Sequence, residues 1–348
     1  MSLATGLQGL KVATVSFTDE GALSRALGLQ PHERQLHGRC ISLDKSFGGL
    51  TALSDGCDFD IVAIHGLNDH AFDTWQDASS SFMWLRDSLP GKFPGARVLL
   101  YGYNPDMLSD TLTGRLCALA SMFLEHLRRE RDSERQRKRP LIVMAHSLGG
   151  LIIKQVLLTA SNRTDARFKD IIESIRGIMF FGTPQNKGND VSTTFLVCDI
   201  LRAFNIDGLV DALKEWDVKP LFLYNSTAEF RLIIEQLGIV VHTFIEDQRT
   251  QIGRWPLERN IRLVDERSAT LGAAREHKTI VPANHASLCK FKGATNPTYT
   301  TVCQGISELI ADIKPVVTTQ VASMDIRTIK STSWFSQYLT AMSGYLAD

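Results

Sequence analysis

The segment Leu141-Ile142-Val143-Met144-Ala145-His146-Ser147-Leu148-Gly149-Gly150-Leu151-Ile152-Ile153-Lys154 sets a serine between an apolar, strand-forming run and an apolar, helix-forming one. A strand, a tight turn holding a serine and a glycine-bearing helix are the context in which a strained elbow lifts a nucleophilic hydroxyl over the rim of a sheet. Ala145 stands where that pattern usually carries its first glycine, and so small a residue preserves the close packing. A serine hydroxyl is a weak nucleophile at neutral pH. It needs an adjacent base, and the base needs a carboxylate to fix its tautomer and to stabilise the imidazolium. The chemistry implied is acyl transfer from an ester or thioester through a covalent intermediate on Ser147.

In hydrolases with such an elbow the partners follow in the order serine, acid, histidine. Downstream of Ser147 lie His242, His277 and His285. His285 falls in Pro282-Ala283-Asn284-His285-Ala286-Ser287, a loop beyond the last predicted strand, and is the expected base; His277, in a charged stretch, is the second choice. The run ending Thr243-Phe244-Ile245-Glu246-Asp247 puts two carboxylates at a strand's carboxyl end. Glu246 is preferred as the acid, with Asp247 as the alternative; strand alternation would decide which one faces inward, but the sequence alone does not fix it. Asp265 is a third candidate. Two backbone donors for a developing oxyanion are expected at Leu148, directly after the serine, and at Leu67, after the strand that ends in His65-Gly66. His65, Gly66 and His146 are expected to contact substrate, with His65 alternatively orienting its loop.

These residues need a scaffold. Short apolar runs at 61–64, 98–101, 141–144, 177–181, 240–244 and 261–264 alternate with helical periodicity. That is the signature of a parallel sheet buried on both faces, so the fold class is α/β, a mostly parallel sheet flanked by helices. The predicted domain spans 56–314, preceded by a mixed segment 1–55 that packs on the core. A helix is predicted over 112–128, with Leu112, Leu116, Leu119, Phe123 and Leu127 on one stripe. The arginines after it, among residues 128–139, read as a solvated helix end rather than a docking patch. Residues 185–237 carry helical apolar spacing and are read as a cap over an apolar acyl pocket. Residues 315–348 place Trp334, Phe335, Tyr338, Leu339, Met342 and Tyr345 on one helix face, suited to self-docking or a homodimer.

Composition narrows the partner. Of 348 residues, 44% are hydrophobic and 22% charged, the balance of a globular chain with a sizeable core. Lysine plus arginine equals aspartate plus glutamate at 38 each, so no summed field favours nucleic acid; a small-molecule ester, thioester or lipid-like substrate is expected. The six scattered cysteines fit reduced thiols, and neither a signal peptide nor a membrane-spanning run is evident, which predicts a cytoplasmic protein. Without a metal-ligand cluster, phosphate loop or dinucleotide fingerprint, no cofactor is expected.

The run Asp60-Ile61-Val62-Ala63-Ile64-His65-Gly66-Leu67 through Trp75, then Trp84-Leu85-Arg86, Tyr101-Gly102-Tyr103, the elbow, Phe180-Phe181-Gly182-Thr183-Pro184, and Asn284-His285 through Cys289-Lys290-Phe291 resemble, in this order, the lipase-like serine esterase domains of fungi. Those α/β-hydrolases are often fused to signalling or repeat modules, and they are similar to the mitochondrial serine-active-site hydrolase linked to phosphatidylglycerol remodelling. The resemblance spans about residues 45–312. It implies the α/β-hydrolase fold, Ser147 as nucleophile, His285 as base and Glu246 as acid, and a segment at Ser268-Ala269 leading to the histidine loop. Two positions depart from the pattern. Gln185-Asn186-Lys187 stands where His-Arg-Gly usually follows Gly-Thr-Pro, and Asn68-Asp69 where Gly-Gly usually follows His-Gly-Leu. Two competing readings share the same residues: an acyltransferase or cyclase, and a non-catalytic signalling or interaction domain that retains the fold.

Overall fold

In the computed structural model of the protein the described residues are 2–6, 10–15, 17, 19–30, 35–36, 39–66, 69–104, 112–161, 165–186, 220–252 and 259–311. The chain separates into two units, Met1–Ile313 and Lys314–Asp348, and the second lies outside the described residues, as do Leu67 and most of the expected cap.

A seven-stranded sheet organises the first unit. Its strands are β1 (Gly49–Ala52), β2 (Phe59–Ile64), β3 (Ala96–Gly102), β4 (Leu141–His146), β5 (Ile175–Phe181), β6 (Val240–Glu246) and β7 (Glu276–Val281). Their order across the sheet is β7-β6-β5-β4-β2-β3-β1, parallel throughout except for the antiparallel edge pair β1 and β3. The sheet therefore begins at Gly49, ahead of the expected boundary at residue 56. Residues 2–5 and 11–14 form a separate antiparallel hairpin.

Alternation along the strands supplies two cores. Val62, Ile64, Leu99, Tyr101, Val143, Ala145 and Val241 face one side, and Ile61, Ala63, Val98, Leu100, Ile142, Met144 and Phe244 face the other. The first side is covered by helices α1 (Leu112–Glu130), α2 (Gly149–Ser161) and α3 (Ala166–Ser174). In α1 four members of the predicted stripe, Leu116, Leu119, Phe123 and Leu127, are buried, and the Leu112 side chain lies outside the described residues. The second side is covered by α5 (Pro297–Ala311), through Tyr299, Val302 and Ile306, and by Trp75 and Trp84. Helix α4 (Pro220–Gln236) packs on α2.

Two expectations need correction. Residues 261–264 do not form a sheet strand: Arg259–Ile261 pairs with Thr250–Ile252 in a small antiparallel hairpin. The strand that completes the sheet is β7, whose sequence Glu276-His277-Lys278-Thr279-Ile280-Val281 lacks the apolar run of a central strand because it is an edge with one side open to solvent. The arginine-rich stretch is not simply solvated either. Arg131 is fully buried, and with Arg97 and Arg139 it surrounds the buried Asp60 at 2.9–3.2 Å. Arg97 also bonds Glu130 at 2.8 Å, and Arg131 donates to Ser174 Oγ at 2.8 Å. Asp60 and Arg97 are direct neighbours near the amino ends of β2 and β3, so the cluster ties α1 to the sheet at the end remote from the serine.

Removing the central anion leaves three arginines in low dielectric with Glu130, bonded to Arg97, as the remaining carboxylate. Asp60→Asn is expected to lower unfolding free energy by about 3–5 kcal/mol in urea titrations; a change below 1 kcal/mol would mean that water reaches the cluster.

Candidate active site

The elbow forms where the sequence predicts it. Ser147 follows the last residue of β4 and takes φ 51°, the left-handed region that non-glycine residues avoid. Such a conformation costs on the order of 1–3 kcal/mol and persists only where its surroundings hold it. Here the backbone is pinned on both sides. Ser147 N–H donates to the Phe181 carbonyl at 2.8 Å, and the Thr183 hydroxyl donates to the Ser147 carbonyl at 3.0 Å. The Phe-Gly-Thr-Pro segment thus clamps the turn. Helix α2 then starts so close to β2 that a Cβ on Gly149 would lie 2.4 Å from the His65 carbonyl oxygen, which accounts for the glycine.

Three side chains from distant segments converge. His285 Nε2 lies 2.7 Å from Ser147 Oγ, and His285 Nδ1 lies 2.6 Å from Glu246 Oε2. Glu246 is the last residue of β6 and is fully buried; its second oxygen accepts from Val264 N–H at 2.9 Å. The segment misread as a strand therefore orients the carboxylate. His285 opens a short 3₁₀ turn, His285–Ser287, capped by Asn284, and its own N–H donates to Thr250 Oγ1 at 3.2 Å. Behind that turn the two remaining motifs meet: Trp84 Nε1 donates to the Cys289 carbonyl at 2.9 Å, and Trp84 packs against Phe291 at 5.3 Å.

The other acids and bases lie elsewhere. Asp247, the alternative acid, is exposed and pairs with Arg262 at 2.9 Å, as strand alternation requires of the residue after an inward-facing Glu246. Asp265 caps the short helix Glu266–Ala269 through Ser268 N–H. His277 sits on β7, exposed and stacked on His242 at 4.9 Å, and is no substitute for His285. His65 and His146, expected to meet substrate, are buried like Ser147, and each ring has both nitrogens within hydrogen-bond distance of protein groups. His65 Nδ1–H donates to the Gly66 carbonyl at 2.7 Å, its Nε2 accepts from Tyr103 N–H at 3.3 Å, and the ring stacks on Tyr103 at 4.1 Å. His146 bridges Asp69 at 3.0 Å and the His285 carbonyl at 3.1 Å, a linkage with no counterpart in the sequence reading.

Of the expected oxyanion donors, Leu148 N–H follows the serine and meets no protein acceptor among the described residues; Leu67 lies outside them. Gly66 is placed where any side chain would intrude: a Cβ there would be 3.3 Å from Ser147 Cβ and 3.0 Å from Asp69 Oδ2. Ser147 itself is 1% exposed. A cavity of about 720 Å³, lined by Asn186, Thr227, Arg231, Arg267 and Lys278 among others, does not include Ser147 or His285 in its walls. Among the described residues no group of histidine, cysteine or acidic side chains is arranged to hold a metal ion, and no helix is long and apolar enough to cross a membrane.

Burial pushes the His65 imidazole down to about 4, against the opposing pull of its Gly66 hydrogen bond. The unfolded chain titrates this group near 6.5. Between the two values the unfolded state binds the extra proton, so the stability present above pH 6.5 is lost as pH falls and stops falling near 4. His65 is expected to contribute on the order of 3 kcal/mol to that loss. Urea unfolding of wild type and His65→Gln across this range checks it: the variant should lose correspondingly less.

No family model matches the chain. By sequence it is similar to protein SERAC1 of mouse, at 26% identity over 277 residues, and to protein SERAC1 of human, at 26% over 281 residues. Each alignment covers 72% of this chain and 39% of the relative, so the chain spans about two fifths of the length of the curated relatives it matches. Among solved structures it is similar to a hydrolase from Oleispira antarctica (11% identity, 74% of this chain and 95% of that one, TM-score 0.41). It is also similar to a monoacylglycerol lipase from Paleococcus ferrophilus (13% identity, 75% and 98%, TM-score 0.42). The strand order with its single antiparallel edge pair, and the serine on a left-handed turn between a central strand and its helix, make this an α/β-hydrolase fold similar in sequence to SERAC1.

Proposed function

We propose that the protein is a serine hydrolase that cleaves a carboxylic ester or thioester of an apolar acyl substrate, with Ser147 as nucleophile, His285 as base and Glu246 as acid. The observation that carries this reading is the unbroken hydrogen-bonded chain from Ser147 Oγ through the His285 ring to Glu246, at 2.7 and 2.6 Å. In the resting state Ser147 O–H donates to Nε2 and Nδ1–H donates to the carboxylate, the arrangement in which an imidazole can take a proton.

Attack of Oγ on the acyl carbon transfers the hydroxyl proton to Nε2. The carbonyl oxygen becomes an oxyanion facing Leu148 N–H, with Leu67 N–H proposed as the second donor. Collapse expels the alkoxide or thiolate, which takes the proton from Nε2 and leaves the acyl group on Ser147. Water then attacks with His285 as base, releasing the acid and restoring the hydroxyl. Glu246 stabilises the imidazolium in both halves.

The apolar spacing at residues 195–216 supports an apolar acyl group and a cap, whereas the later part of the span, α4, packs on α2 through the core residues Phe230, Ile233 and Ile234. The 1% exposure of Ser147 supports a site that opens to admit substrate. That burial also favours a second reading, transfer of the acyl group to an alcohol or amine instead of water. Product analysis with esters of graded chain length separates the two.

A fluorophosphonate probe is expected to label the wild type and not Ser147→Ala. Turnover of a chromogenic ester should fall roughly a millionfold in Ser147→Ala and about 10⁴-fold in Glu246→Gln, which leaves the ring without its tautomer-fixing anion. An unlabelled, inactive wild-type protein would instead support the non-catalytic reading.

A further inference from the structure

We propose that Asp69 and His146 form a charged pair that positions the base, with the His146 imidazolium holding the His285 carbonyl on one side and the Asp69 carboxylate on the other. The proposal deepens the hydrolase reading and rests on it for its kinetic consequence.

The argument is one of donors and acceptors. His146 closes β4 immediately before the nucleophile and is 2% exposed. Its Nδ1 faces Asp69 Oδ2 at 3.0 Å, and its Nε2 faces the backbone oxygen of His285 at 3.1 Å. A carbonyl oxygen and an ionised carboxylate can only accept, whereas a neutral imidazole carries a single N–H. Both hydrogen bonds form together only when each ring nitrogen bears a proton. Asp69 is the ionised acceptor this count requires: burial alone pushes its carboxyl up, but the hydrogen bond and charge of His146, with smaller contributions from His65 and His285, outweigh that and hold it below the ordinary value.

Among the described residues no other charged group is within hydrogen-bond distance of the His146 ring. At the end of β2, His65 is kept neutral by burial. Tyr103 and Cys289 are buried and pushed up, so they stay uncharged. In the next turn His70 and Asp73 face each other at 3.4 Å, and on the base side the Glu246 carboxylate is taken up by His285 and Val264.

Two consequences follow for Ser147. The pair joins the segment after β2, the elbow and the base loop, the three pieces of chain that must keep register for proton transfer. It also cancels a charge. Asp69 Oδ2 crowds Gly66 beside Ser147, so a carboxylate without its cation would oppose the oxyanion forming there. Asp69 is one of the two residues that depart from the His-Gly-Leu-Gly-Gly pattern, which makes the pair a feature of this chain's own sequence.

The test uses the full chain labelled with ¹⁵N at histidine, with the His146 ring resonances assigned by their loss in His146→Gln. Near neutral pH the wild type should show both His146 ring nitrogens protonated, and Asp69→Asn, which keeps shape and one acceptor but not the charge, should show one. The rate of fluorophosphonate labelling should fall about 10- to 100-fold in Asp69→Asn, the scale of a misplaced reacting group, without loss of the folded spectrum. A singly protonated His146 in the wild type, or a wild-type labelling rate in Asp69→Asn, would overturn the proposal. A wild type that takes no label at all would count against the hydrolase reading, while the ring protonation would still decide the state of the pair.

Discussion

Everything at the site depends on holding one buried imidazole between a hydroxyl and a carboxylate that arrive from far apart in the chain. Ser147 and Glu246 stand 138 and 39 residues from His285, yet both lie within hydrogen-bond reach of its ring. The sheet makes this possible. β4 and β6 flank β5 in parallel, so the residue after one and the residue ending the other emerge at the same rim. The strained serine persists because β5 and the segment after it grip its amide and its carbonyl, which places the cost of the left-handed turn on neighbours that are already rigid.

The two ends of the sheet are built by different physics. At the amino ends of the strands Asp60 is surrounded by three arginines, one of which also bonds Glu130, and the cluster joins the sheet to α1. At the carboxyl ends the polar groups form a chain that can pass a proton, backed by an aromatic wall in which Trp75 meets Trp84 at 5.9 Å and Phe181 at 5.8 Å. That wall anchors the base loop through Cys289 and Phe291, and so converts core packing into placement of His285.

The serine elbow was legible because it has a local signature: an apolar strand, a small residue, the serine and two glycines within one short stretch. Alternation could not choose between Glu246 and Asp247 in the sequence, because the strand's register is set by its neighbours; in the fold Glu246 is buried and Asp247 is exposed and pairs with Arg262. What escaped the sequence was non-local. β7 reads as polar because an edge strand has only one covered side, and 261–264 reads as a strand because its apolar residues pack beneath the acid rather than in the sheet. The hydrogen bonds that His65 and His146 make within the protein were not legible either, since an imidazole beside the elbow has no pattern that reveals its partners. Nothing in the spacing links Asp69 to His146 across 77 positions.

The central claim is that Ser147 becomes covalently acylated. Intact-mass spectrometry of the enzyme quenched early with a slowly turned-over ester tests it most directly, followed by mapping of the modified peptide. The account predicts a mass increase equal to the acyl group, carried by the peptide containing Ser147 and absent once turnover is complete. An adduct on another residue, or ester cleavage with no covalent species on the serine, would contradict it.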